Sequence, residues 1–262
     1  MSWKKALLAS VFVLISSVFA FAQITEMPPP PLPDAALLAD ILQASENLHK
    51  QGQAIEFKET VSFRLAAVLP EGRQTRNIPN RNVDYRQSAD YAVRARQGQI
   101  LEKNLIEVHQ PPRFGLNALF KVIDIPTLQE TLPPVASLKT AFLLFLSKDF
   151  VNGYKEVERE KVNGREAVKL ALRFRPGRIA IENCFVWIDE KNHLPLKAEL
   201  KIGDIDRYSN VVLKVLLEDV TDNKLPGRIT QEVSCSTYEN GIPIRLEHTS
   251  VYSDLKPLPK EQ

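Results

Sequence analysis

The chain has 262 residues, of which 34 are basic and 32 acidic, with two cysteines and 44% hydrophobic side chains. Lys4 and Lys5 lie in an apolar N-terminal stretch without acids, so the rest of the chain is charge-balanced. That excludes the clustered basic excess a nucleic-acid partner needs, and the lack of a C-x-x-C pair excludes the common zinc and thioredoxin patterns.

Lys4 and Lys5 are followed by an apolar run from Ala6 to Phe19 and by Ala20-Phe21-Ala22, the small-x-small pattern of a signal-peptidase site. Residues 1–22 read as an export signal into the periplasm; the alternative is an uncleaved single-span anchor. Residues 23–33 include Met27-Pro-Pro-Pro-Pro-Leu-Pro33 and form an extended, proline-rich spacer. Residues 34–262 suit one β-rich domain.

Asp34 is placed to cap a helix in which Leu38, Ile41, Leu42, Ser45 and Leu48 recur at three and four residues before Gly52. His49, in the last turn, faces the negative end of the helix dipole. From Ile55 the period becomes two. Ile55, Phe57, Val61, Phe63 and Leu65 alternate with polar residues, which predicts a strand with one wet face. Glu59 interrupts the apolar parity, and an edge position or a bulge is the expected accommodation. Residues 67–88 lack periodicity and read as a long loop or ragged edge strands. Tyr91–Ala95 and Gln99–Val108 form a hairpin around Gln97-Gly98, which Pro111-Pro112 terminates.

Ser137 to Phe150 has almost no polar face, and a helix this apolar is buried on most sides or covers a hydrophobic opening. From Tyr154 onward six or seven strands follow without a helix, with Asn163-Gly164 and Asn240-Gly241 as type I′ turns. The fold class is therefore α+β, built on one large antiparallel sheet.

If Asp189 pairs with Leu194, then Trp187 faces Leu196, Phe185 faces Ala198 and Ile181 faces Ile202. Val168, Leu170, Leu172 and Phe174 join that apolar side, as do Leu200, Ile242, Ile244 and Leu246 with Cys235 and Thr237. In this register Cys184 points to the wet side and Cys235 to the apolar side, which favours free thiols over a disulfide; a one-residue shift in the 190–193 turn would reverse that and leave a bridge open.

No catalytic, metal or cofactor motif is present: there is no GxSxG, HExxH or phosphate-binding glycine loop. His109 and His193 sit beside prolines or in a turn, while His248 falls on the apolar parity as a core or cavity-rim histidine. Glu156, Glu158 and Glu160 read as a solvated strand face.

Val162-Asn-Gly-Arg165, followed by Val186-Trp-Ile-Asp189 and Leu194-Pro-Leu-Lys197, resembles a stretch of the MucB/RseB periplasmic sigma-factor regulators and, more loosely, of LolA-type lipoprotein carriers. The resemblance covers about forty residues, with weaker agreement from Asp34 to Leu65. It implies a strongly curved antiparallel sheet, an incomplete barrel, whose concave apolar face is covered by helices and holds acyl chains of lipids or lipoproteins. The residues expected to line that face are Phe57, Phe63, Leu170, Leu172, Phe185, Trp187, Leu196 and Leu200, with Phe142 and Leu146 from the lid. The same residues would serve a closed core. Two functions stay open: a non-catalytic lipid or lipoprotein carrier, chaperone or sensor, and a structural or regulatory envelope module with a protein partner. The second would work through an edge strand or the loop around Arg73, Arg76, Arg81 and Arg86.

Overall fold

In a computed structural model the described residues are 35–71, 82–110, 123, 128–129, 132–176, 181–221 and 224–258. The export signal, the spacer, Asp34 and the arginines at 73, 76 and 81 lie outside them. All described elements belong to the compact unit Asp34–Gln262.

Helix α1 spans Ala35–Gln51. Its Leu38, Ile41, Ser45 and Leu48 are buried, as the three-and-four spacing requires. It ends where the chain must pass under an aromatic ring: a Cβ at Gly52 would lie 2.7 Å from a Phe142 ring carbon. His49 and Lys50 occupy the last turn, where cations are favourable.

The strands are β1 (Ala54–Val68), β2 (Asn82–Arg96), β3 (Gln99–Gln110), β4 (Val151–Val162), β5 (Arg165–Phe174), β6 (Ile181–Asp189), β7 (Pro195–Ile202), β8 (Ser209–Glu218), β9 (Arg228–Glu239) and β10 (Ile242–Pro257). They form one ten-stranded antiparallel sheet in the order β3-β2-β1-β10-β9-β8-β7-β6-β5-β4, which is not closed into a barrel. Two meanders are thus joined by one non-sequential pair, β1 with β10. Strands β3 and β4 are the edges.

Gln97-Gly98, Asn163-Gly164 and Asn240-Gly241 all have positive φ at both positions, the geometry of type I′ turns. The ragged reading is corrected at both ends of residues 67–88, of which 72–81 lie outside the described residues: β1 runs to Val68 and β2 begins at Asn82, with Val83 and Tyr85 buried and Asp84 and Arg86 exposed. Gln87 and Ser88 break that alternation after only two apolar positions, too few for the period to stand out.

The register around the β6–β7 turn is also corrected. Asp189 N–H does donate to the Leu194 carbonyl. Leu196, however, is then passed over by a bulge, so Ile188 pairs with Pro195, Trp187 with Lys197 and Phe185 with Glu199. Cys184, Val186 and Ile188 are consequently the core-facing set. Phe185 and Trp187 take the opposite face, where Lys197 Nζ lies 3.9 Å and Lys169 Nζ 5.1 Å from the Trp187 ring centroid and the indole N–H donates to Glu160. Both parities of β6 are apolar, so periodicity had no means of choosing between them.

Cys184 and Cys235 are therefore both buried in the same core, and both are free. Opposite faces are not the reason. They sit on β6 and β9, three strand spacings apart, roughly 14 Å, beyond the reach of a disulfide. Burial pushes each thiol up to about 12.

The expected helix from Ser137 to Phe150 is reduced to one helical turn α2 at Leu138–Ala141, just after a 3₁₀ turn at Pro134–Ala136, and a chain of turns up to Phe150. Leu143 adopts a left-handed φ of 55°. The physical reason is burial: a straight helix hides one stripe, whereas this path buries Leu138, Ala141, Phe142, Leu143 and Leu146 together. The Ser45 hydroxyl from α1 donates to the Leu143 carbonyl, satisfying it where the helical pattern is broken. No helix among the described residues is long and apolar enough to cross a membrane.

Candidate functional site

The two ends of the buried sheet face differ in kind. Across β5 to β8 it is filled by Leu170, Val186, Ala198, Leu200, Val211, Leu213 and Val215, all at most 3% exposed. Across β10, β1 and β2 the register instead aligns Glu59 with Tyr252 and Tyr91, Val61 with Ser250 and Ala89, and Phe63 with His248 and Gln87.

Those residues line a cavity of about 750 Å³ whose other walls are β3, Gln129 and residues from Leu132 to Leu138. That volume falls in the range of small-molecule sites. The walls are aromatic and aliphatic: Phe57, Phe63, Tyr91 and Tyr252 from the strands, Leu132 and Leu138 from the chain between β3 and β4. The Phe57 and Tyr252 rings meet edge to face at 5.4 Å.

A polar cluster stands among them. Glu59 is buried, at 6% exposure, and accepts hydrogen bonds from Lys103 Nζ at 2.8 Å and from the Ser250 hydroxyl at 3.0 Å. Glu59 is thus not at an edge, and the bulge in the β1–β10 pairing falls just before it, between Glu56 and Lys58. Glu59 sits in the middle of a central strand and is neutralised by a lysine that reaches over from β3, with Nζ 4.3 Å from the Tyr91 ring centroid. His248 Nε2 lies 3.0 Å from the Ser250 oxygen. Because the serine proton goes to the carboxylate, Nε2–H is the donor in that contact. His248 Nδ1 is buried without a hydrogen-bond partner among the described residues. Burial brings the imidazole down to about 4, so it is neutral near pH 7. Ser250 lies between the carboxylate and the imidazole, whereas activation of a serine nucleophile needs the imidazole in the middle.

Behind Tyr252, its hydroxyl donates to Gln231 Oε1, and the fully buried Gln231 amide donates to Thr140 Oγ1 at 2.8 Å and to the Val135 and Ser137 carbonyls at 3.1 Å. One glutamine on β9 therefore fixes the segment around the 3₁₀ turn and α2 to the buried face of the sheet.

Of the residues expected to line a cavity, the structure brings only Phe57 and Phe63 to this one. Leu170, Leu196 and Leu200 are packed in the β5–β8 core, and Leu172 is half-buried against it. Phe142 and Leu146 are buried within the turn segment, the Phe142 ring against Gly52 just after α1. Phe185 and Trp187 are on the other face of the sheet. Sequence reasoning missed Lys103, Ser250 and Tyr252. The available signal was the polar interruption of parity at Glu59, matched by His248 and Ser250 on β10.

An open antiparallel sheet with a partly polar cavity, open to solvent on the β3 side, is the class of protein this geometry defines. No protein-family model matches the chain, and no curated protein matches it. Among solved structures it is similar to a LolA superfamily protein from Nitrosomonas europaea, at 14% identity over 86% of this chain and 94% of that one, with a TM-score of 0.34. It is also similar to the Pseudomonas aeruginosa MucA/MucB complex, at 11% identity over 84% of this chain and all of that one, with a TM-score of 0.24.

Proposed function

We propose that this protein is an exported, periplasmic carrier, chaperone or sensor that binds the acyl chain of a lipid or lipoprotein and performs no catalysis. In this reading residues 1–22 are the export signal, 23–33 a spacer and 34–262 one domain. The sheet curves so that residues 132–150, with α1, cover its concave face. The observation that carries it is the cavity of about 750 Å³ with aromatic and aliphatic walls between the β1, β2 and β10 strands, Gln129 and residues 132–138. Burying an aliphatic chain there contributes about 0.8 kcal/mol per methylene before ordering costs.

The test is native mass spectrometry, with lipid extraction, of the protein purified from the cell envelope without detergent. Co-purifying acyl-chain mass that disappears on delipidation supports the reading. A clean apo mass with no uptake of added lipid defeats it.

One observation favours the second reading, an envelope interaction module. Edge strand β3 exposes Ile100, Leu101, Leu105, Ile106 and Val108, each by 41–59%, and a long apolar edge is a template for strand addition by a partner.

A further inference from the structure

The Glu59 carboxylate and the Lys103 ammonium are unequal partners. Glu59 is braced on a central strand, between β2 and β10, and held from behind by Ser250, itself tied to His248. Its side chain is only 8% exposed. Lys103 instead projects from the edge strand β3, and its side chain is 34% exposed. What is fixed in the cavity is therefore a carboxylate beside the Tyr91 ring. What fills that place is an ammonium on a flexible four-carbon stem that can reach water. A carboxylate with an aromatic face beside it is the chemistry that recognises an alkylammonium. His248, neutral because it is buried, adds no competing cation.

We infer that the Glu59–Lys103 pair is a displaceable latch, and that the cavity takes an amphiphile with a primary ammonium head, which replaces the lysine on Glu59 while its chain lies against Phe57, Phe63 and Tyr252. The inference rests on the acyl-cavity reading and names the head group that reading leaves open. On entry the ligand nitrogen takes the hydrogen bond to Glu59 and the place beside Tyr91, and Lys103 turns outward to solvent. The exchange keeps the buried carboxylate paired throughout, which an anionic or uncharged head cannot do.

The experiment uses the full chain and three probes matched in length, dodecylamine, dodecanol and dodecanoate, each displacing the fluorescent apolar dye N-phenyl-1-naphthylamine at pH 7.5. In the unaltered protein dodecylamine is expected to displace the dye at least threefold more tightly than dodecanol, with dodecanoate weakest. Lys103→Gln removes the internal competitor and should strengthen dodecylamine about tenfold while leaving dodecanol unchanged. Adding Glu59→Gln to that variant should abolish the gain. Dodecanoate binding tightest would overturn the inference, because Lys103 would then be the head-group reader. Equal displacement by all three would overturn it and leave the acyl-cavity reading standing. No displacement by any probe would defeat both. If Lys103→Gln does not fold, the three-probe order in the unaltered protein still decides.

Discussion

The β5–β8 end of the sheet and the β10–β1–β2 end are built from the same alternating pattern, yet one is a packed core and the other holds a cavity. In the first, almost every inward position is aliphatic: Leu170, Val186, Ala198, Leu200, Leu213 and Val215 interdigitate across adjacent strands. In the second, most inward positions are polar or aromatic: Phe57, Glu59 and Phe63 beside Val61 on β1, then His248, Ser250 and Tyr252 after Leu246 on β10. Rings and paired charges do not fill space as branched aliphatic chains do, and their hydrogen bonds fix them where packing alone would have collapsed them. An unbroken apolar parity marked the dry core; an interrupted one marked the cavity.

The largest test of that contrast is Leu170→Asp. Leu170 is 1% exposed and surrounded by apolar groups, so an unpaired carboxylate there should cost more than about 4 kcal/mol and abolish cooperative unfolding in urea. A folded, stable variant would show that this end is not a dry core.

Acid acts mainly on the other end. His248 is held at about 4 by burial, against 6.5 as its ordinary value. The unfolded chain therefore binds the extra proton first, and stability present above pH 6.5 should fall as pH drops through 4, by about 3 kcal/mol. Replacing His248 with Gln should flatten this part of the pH profile of urea unfolding. Asp84 and Asp90, both held below the usual carboxylate range mainly by hydrogen bonds to Arg86 and Lys58, add losses only at lower pH.

Gln231→Leu should cost about 1–3 kcal/mol, because the Tyr252 hydroxyl and the Val135 and Ser137 carbonyls lose a buried partner. Hydrogen exchange should accelerate at the amides of Thr140 and Phe142 while those of β7 and β8 stay protected. The smallest effect on stability is expected for Val61→Phe, whose ring would enter the cavity. Stability should change by less than about 1 kcal/mol, but uptake of an acyl probe should be lost. The same enlargement at Ala198, in the packed end, should destabilise the protein instead.

Much of the architecture is legible in the sequence. The α1 stripe, the three two-residue turns and the seven strands from β4 onward follow from period and from residues suited to positive φ. The site was less legible. Eight of the ten residues expected in a cavity lie elsewhere, because apolar alternation is common to packed cores and to ligand cavities. The one-residue bulge at Leu196 also moved Phe185 and Trp187 to the far face, since β6 is apolar on both parities and nothing local opposed the change. The apolar run from Ser137 to Phe150 shows a related limit: composition required its burial, but helix was only one way to achieve it.

The sequence by itself determined the element types, the turns and which strands alternate, because each depends on residues within a few positions of one another. Tertiary structure alone decided the pairing of β1 with β10, which sets Glu59 beside Ser250, 191 residues apart, and the reach of Lys103 over Tyr91 to that carboxylate. Those contacts depend on which strands become neighbours and in what register, and the burial free energy that selects among registers is a property of the whole sheet.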